Sequence, residues 1–104
     1  MNGGKFAYPV ALTIAGSDSS GGAGIQADIK AMSAVGCYAA SVITSITVQN
    51  TIGVTAVQAV SPDIVAGQIR AVMDDIRPKA LKIGMVNDRS TIQAIAATLR
   101  EYAI

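Results

Sequence analysis

Val10–Gly36 reads VALTIAGSDSSGGAGIQADIKAMSAVG, and three patterns follow one another in it without a break. Val10–Ala15 is a short apolar run that ends at a glycine, the mark of a strand covered on both faces. Gly16–Gly24 is polar and rich in glycine, too irregular for either a strand or a helix. From Ile25 the apolar residues Ile25, Ile29, Met32 and Val35 recur at helical spacing, and Gly36 stands where a helix commonly stops. Strand, glycine loop and helix in this order open a βαβ unit.

The alternation continues downstream. Tyr38–Ile46 is rich in β-branched residues and predicts a second strand. Thr47–Gly53 reads as a loop carrying Gln49 and Asn50, and Val54–Val60 as a third extended segment. Ser61-Pro62-Asp63 is a strong helix start, with Ser as the cap, Pro at the first position and an acid facing the positive helix end. Val65, Ile69, Val72, Met73 and Ile76 give that helix one apolar face, and Pro78 ends it. Ala80–Gly84 predicts a further strand. Asp88–Ser90 opens a last helix with Ile92, Ile95, Ala96 and Leu99 on one side. The fold class is therefore α/β, a mostly parallel sheet with flanking helices and right-handed crossovers. Met1–Lys5 reads as a flexible lead. A strand would be due after the last helix, so residues 1–104 are expected to form a single, incomplete domain.

Composition narrows the function. Of 104 residues 51% are apolar and 14% charged, enough apolar material for a core and too little charge for a disordered chain. Net charge is +1 with no basic or acidic run, which argues against nucleic acid or a membrane surface as partner. The aromatic residues Phe6, Tyr8, Tyr38 and Tyr102 are scattered and make no stacking platform for bases. The chain has no histidine, which excludes Ser-His-Asp and Cys-His catalysis and removes the commonest zinc ligand. Cys37 is the one cysteine, so no internal disulfide forms, and a reduced cytoplasmic setting is the natural expectation. No apolar run reaches transmembrane length. Lys5 and the run that follows it faintly resemble a signal peptide, but that run leads straight into a glycine loop and helix, which fits a first strand better. So much apolar surface in so short a chain also predicts self-association, as a homodimer or higher oligomer.

The glycine loop is the strongest chemical signal. In open α/β sheets ligands bind beyond the carboxyl ends of the strands, where glycine lets backbone N–H groups approach a polar ligand. It is not a P-loop, which needs Gly-Lys followed by Ser or Thr; here Gly24 precedes Ile25. Gly16, Gly21, Gly22 and Gly24 do not have the dinucleotide-binding spacing either. Asp28 falls inside the apolar arc of its helix, so its carboxylate must have partners. It either accepts backbone N–H bonds that tie down the loop or contacts a ligand. Gln49 and Asn50 follow a strand at its carboxyl end, and a side-chain amide suits the edge of a heterocycle. Met85, just past Gly84, could pack on a flat ring. Cys37 reads as structural, and Lys79 and Lys82 receive no role.

Thr13–Lys30 (TIAGSDSSGGAGIQADIK) closely resembles the opening motif of the hydroxymethylpyrimidine and phosphomethylpyrimidine kinases of thiamin synthesis. Ser41–Thr51 (SVITSITVQNT) and Lys82–Met85 (KIGM) are similar to that family's second and third blocks, in its order and spacing. The resemblance implies a ribokinase-like fold and an enzyme that uses ATP and Mg2+ to phosphorylate 4-amino-5-hydroxymethyl-2-methylpyrimidine and then its monophosphate. It implies that Gln49 bonds the aminopyrimidine, that Met85 and Val48 pack near the ring, and that Gly16 and Asp28 line the pocket. Asp18, with the glycine loop, would hold the pocket floor. Family members are more than twice as long, and their anion hole, catalytic base, adenine site and metal ligands would lie outside this chain. Pyridoxal kinase, of the same superfamily, and a non-catalytic pyrimidine-binding module are the other readings the sequence allows.

Overall fold

The computed structural model describes residues 8–86 and 88–104; the expected lead, Met1–Lys5, lies outside them. Eight elements follow in order: β1 (Val10–Ala15), α1 (Gly24–Ala34), β2 (Tyr38–Ile43), β3 (Ser45–Gln49), β4 (Val54–Ala59), α2 (Pro62–Asp75), β5 (Ala80–Ile83) and α3 (Arg89–Arg100). β1, β2 and β5 form a parallel sheet in the order β2-β1-β5, with Leu12 facing Ala40 on one side and Leu81 on the other. All six residues of the central strand β1 are buried. That burial explains its unbroken apolar run, since a strand covered on both faces has no solvent side to make polar.

The sheet separates two helical layers. Leu12, Ile14, Ala40 and Val42 turn towards α2 and α3 and pack with Val65, Ile69, Met73, Ile95 and Leu99. Leu12, Ile14, Val42, Val65 and Ile69 are wholly inaccessible to water. Each such side chain contributes about 1.5–3 kcal/mol relative to exposure. Thr13 points to the opposite face, where α1 lies. α2 begins as its sequence predicts, with Ser61 Oγ accepting from Ile64 N and Pro62 in the first turn. Asp88 caps α3 in the same way, accepting from Ser90 N and from the hydroxyls of Ser90 and Thr91. The apolar stripe of α1 is narrower than its periodicity implies: Ile25 is buried, but Val35 is 78% exposed.

The expected strand Tyr38–Ile46 is two strands. Thr44 donates its N–H to Ala15 and accepts from Val60 N, so the backbone leaves the parallel sheet there. Ser45–Gln49 then pairs antiparallel with β4 in a hairpin of its own, which makes the segment containing Val48 and Gln49 a strand and not a loop. Asn50 makes the turn: its N–H donates to Gly53 O, and its Oδ1 accepts from Ile52 N and Gly53 N. The Gln68 side chain on α2 covers the last residue of β2, with Nε2 donating to Ile43 O and Oε1 accepting from Ile43 N, both at 2.9 Å.

Candidate functional site

The glycine loop leaves the carboxyl end of β1 and runs alongside β3. Ser17 N donates to Ser45 O at 2.9 Å. Thr47 answers both ways, its hydroxyl donating to Ser17 O at 2.6 Å and its N–H reaching Ser17 Oγ at 3.3 Å. Two residues further on, the Ser19 hydroxyl takes Gln49 N at 2.8 Å and donates to Gln49 O. The loop thus behaves as an irregular third strand of the hairpin, with serine hydroxyls standing in for part of a backbone ladder. Its other side is fixed to α1: Ile25 N donates to Gly16 O, Asp18 N to Gln26 Oε1, and Lys30 Nζ to Gly21 O.

Asp18 holds the loop from inside. Only 2% exposed, its carboxylate accepts from Ser20 N, Ser20 Oγ and Gly22 N. The Ser20 hydroxyl, helped by those loop amides and opposed by burial, holds the Asp18 carboxyl below its usual range. The loop amides expected to approach a ligand are therefore partly spent on the protein's own anion. Gly24 completes the turn at φ +58°, where a Cβ would run into the Gly16 carbonyl.

Of the partners expected from sequence, loop backbone N–H groups do not bond Asp28 among the described residues; two side chains do. Its carboxylate accepts from Thr13 Oγ1 at 2.7 Å and pairs with Lys82 Nζ at 2.9 Å, joining α1, β1 and β5. Burial raises its pKa, but the bonds from Thr13 and Lys82 outweigh that and leave it below the ordinary value. Lys82, given no role by sequence, is thus the counterion of a half-buried acid.

Gln49 and Gly16 come together with Asp18 through this web. Thr47 Oγ1 stands 3.2 Å from Gln49 Oε1. Met85 is 84% exposed and lines a cavity of about 150 Å³ with Thr44, Ser45, Val57, Ala59 and the start of α3. Ser45, which bonds Ser17, lies between that cavity and the loop. Val48 stands apart: β3 alternates, Ser45, Thr47 and Gln49 half-buried, Ile46 and Val48 exposed, so Val48 faces away from the surface that carries Gln49. A larger groove of about 590 Å³, between β5 and α3, is lined almost wholly by aliphatic residues and holds no convergent polar groups. Ser17, Ser19, Gln26 and Thr47 were not singled out from sequence. The available signal was the matching two-residue spacing of Ser17 and Ser19 against Thr47 and Gln49.

The sequence profile of the phosphomethylpyrimidine kinase family matches residues 18–104. The chain belongs to the phosphomethylpyrimidine kinase family. The hydroxymethylpyrimidine/phosphomethylpyrimidine kinase of Rhizobium meliloti (strain 1021) is 63% identical over 93 residues, which are 89% of this chain and 35% of that protein. Phosphomethylpyrimidine kinase from Clostridium difficile 630 superposes with a TM-score of 0.88 at 56% identity, over 91% of this chain and 41% of that one. Bacillus subtilis pyridoxal kinase, solved as an ADP complex, superposes at 0.83 with 36% identity, over 94% of this chain and 38% of its own. The chain spans about a third of the length of the curated relatives it matches. In phosphomethylpyrimidine kinase terms, the parallel sheet with helices on both faces is the ribokinase-like arrangement, and the glycine loop and hairpin sit at its carboxyl edge. Among the described residues, no group of three His, Cys, Asp or Glu side chains is placed to hold a metal ion.

Proposed function

We propose that this chain supplies the substrate pocket of a kinase that phosphorylates 4-amino-5-hydroxymethyl-2-methylpyrimidine and its monophosphate for thiamin synthesis. The reading rests on one observation: the glycine loop, tied together by Asp18, is laced to β3 at Thr47 and at the backbone of Gln49, at the carboxyl edge of the sheet. Gln49 bonds the aminopyrimidine edge, Gly16 and Met85 border the ring, and Asp18 and Asp28 position the loop and α1. ATP would provide the phosphoryl group and Mg2+ would supply positive charge to offset it, neither being held by a residue identified in this chain. The alcohol oxygen of the pyrimidine, or a phosphate oxygen of its monophosphate, bonds to the γ-phosphorus as the bond from that phosphorus to ADP breaks. The groups that hold ATP and remove the alcohol proton belong to the part of the enzyme not represented in this chain, which is the remainder of a single larger domain. The kinase works in the cytoplasm. No described helix is long and apolar enough to cross a membrane.

The test is a coupled ATP-consumption assay on the full native protein with the hydroxymethylpyrimidine, beside a Gln49→Ala variant. Turnover by the native protein, with substrate binding weakened by about 1–3 kcal/mol in the variant, supports the reading. Binding of the pyrimidine without turnover would instead indicate a non-catalytic pyrimidine-binding module. Similarity to the pyridoxal kinase of Bacillus subtilis favours pyridoxal as the alternative acceptor. Comparing the two alcohols decides between them.

A further inference from the structure

Thr47 decides which way round the Gln49 amide faces its ligand, and it does so because a hydroxyl has one hydrogen. That hydrogen is committed to Ser17 O, at 2.6 Å. The same Oγ1 stands 3.2 Å from the oxygen end of the Gln49 amide. Having given its proton to Ser17, Thr47 can offer Gln49 only a lone pair. Oxygen facing oxygen is repulsive, whereas an amide N–H facing that lone pair is a hydrogen bond. The two ends of a glutamine amide have nearly the same shape, so the hydrogen-bond network, not packing, selects between them. No other hydrogen bond of the Gln49 side chain competes among the described residues.

We infer that Thr47 is a specificity-determining positioning residue: it holds Gln49 with Nε2 towards itself and Oε1 turned to the ligand. One amide hydrogen is spent on Thr47 Oγ1, leaving the second N–H and the carbonyl as an adjacent donor–acceptor pair. That pair matches a ring edge on which an acceptor nitrogen neighbours an exocyclic amine, as in a 4-aminopyrimidine. Oε1 accepts from the amine and Nε2 donates to the ring nitrogen. Pyridoxal, superposed by its ring and its hydroxymethyl group, brings a carbonyl oxygen where the amine was and a hydroxyl where the ring nitrogen was. Its carbonyl then meets Oε1, acceptor against acceptor. Were the amide free to turn over, both contacts to pyridoxal would become favourable, Nε2 donating to the aldehyde and Oε1 accepting from the hydroxyl. The Ser17–Thr47 bond is thus a lock that favours aminopyrimidine over pyridoxal, and its origin in the glycine loop couples loop geometry to substrate choice.

This inference rests on the kinase reading above, and the experiment separates the two. Thr47→Val keeps the shape and removes the hydroxyl; Thr47→Ser restores it. Each is made in the full-length native protein, and kcat/KM is measured for the hydroxymethylpyrimidine and for pyridoxal. The ratio of the two is independent of how much of a preparation is folded. Thr47→Val should lower the pyrimidine-over-pyridoxal ratio about tenfold or more, the worth of one mismatched hydrogen bond at a polar ligand edge. Thr47→Ser should return it to the native value. An active native enzyme whose ratio is unchanged by Thr47→Val overturns the lock and leaves the kinase reading standing. A native protein that phosphorylates neither alcohol overturns both.

Discussion

Gly24 joins the loop to α1, and replacing it with alanine should damage the protein in two separable ways. Its φ of +58° is left-handed, a conformation that costs an alanine about 1–2 kcal/mol. The new methyl would also run into the Gly16 carbonyl and stand 3.3 Å from Asp18 N, both backbone atoms that cannot rotate aside. Relief requires the loop to move, at the expense of the 3.0 Å bond from Ile25 N to Gly16 O. Crowding of this kind costs about 1–3 kcal/mol and the lost bond about 1 kcal/mol, so Gly24→Ala should destabilise by about 3–6 kcal/mol in all. Gly36 supplies the control. Its φ is +86°, but a Cβ there meets nothing within 4 Å, so Gly36→Ala should show the backbone cost alone, about 1–2 kcal/mol. Both changes reduce the freedom of the unfolded chain equally, and that contribution cancels in the comparison. Urea unfolding followed by circular dichroism measures the two midpoints. A gap of about 2–4 kcal/mol between the variants is expected. Equal losses would refute the claim that the loop is closed against its own backbone.

Other substitutions probe the ties between layers. Asp28→Asn should cost about 1 kcal/mol, because the ion pair to Lys82 is half-exposed on the lysine side and water screens it; thermal unfolding reads this, and added salt should shrink the difference. Asp18 and Asp28 have carboxyls held below their ordinary value of 3.8, so the stability they contribute is present above about pH 4 and is lost as pH falls through their lower folded values. A pH series of unfolding midpoints in which Asp28→Asn keeps the same acid dependence as the parent would contradict this for Asp28. Arg70 and Glu101 pair at 2.8 Å between α2 and the end of α3, both 48% exposed; a double-mutant cycle should return under about 1 kcal/mol of coupling. Gln68→Ala should cost more, about 1–3 kcal/mol by urea unfolding, since it leaves both backbone groups of Ile43 without a partner.

Taken alone, the sequence determined the α/β class, the position of every helix to within a residue or two, the strand at Val10–Ala15 and, read as Ala80–Gly84, the strand that spans Ala80–Ile83. These are matters of period and punctuation: Ser61-Pro62 and Asp88 announce their helices locally, and a wholly buried strand can only be written in apolar residues. It also marked Gly16–Gly24 as a loop built for something other than a turn. What it left undecided were partnerships between residues distant along the chain. Asp28 plainly needed partners, but nothing in the spacing of 54 residues to Lys82 reveals that the two β1 neighbours bring them together. The break at Thr44, which turns one expected strand into a parallel strand and a hairpin, depends on Ala15 and Val60 claiming its backbone groups. That break decides that Gln49 faces the glycine loop and Val48 faces away. A strand's side-chain period is two whichever face is buried, so periodicity reports that alternate residues differ and not which set is inward. The break at Thr44 and the docking of the loop against β3 together made that choice.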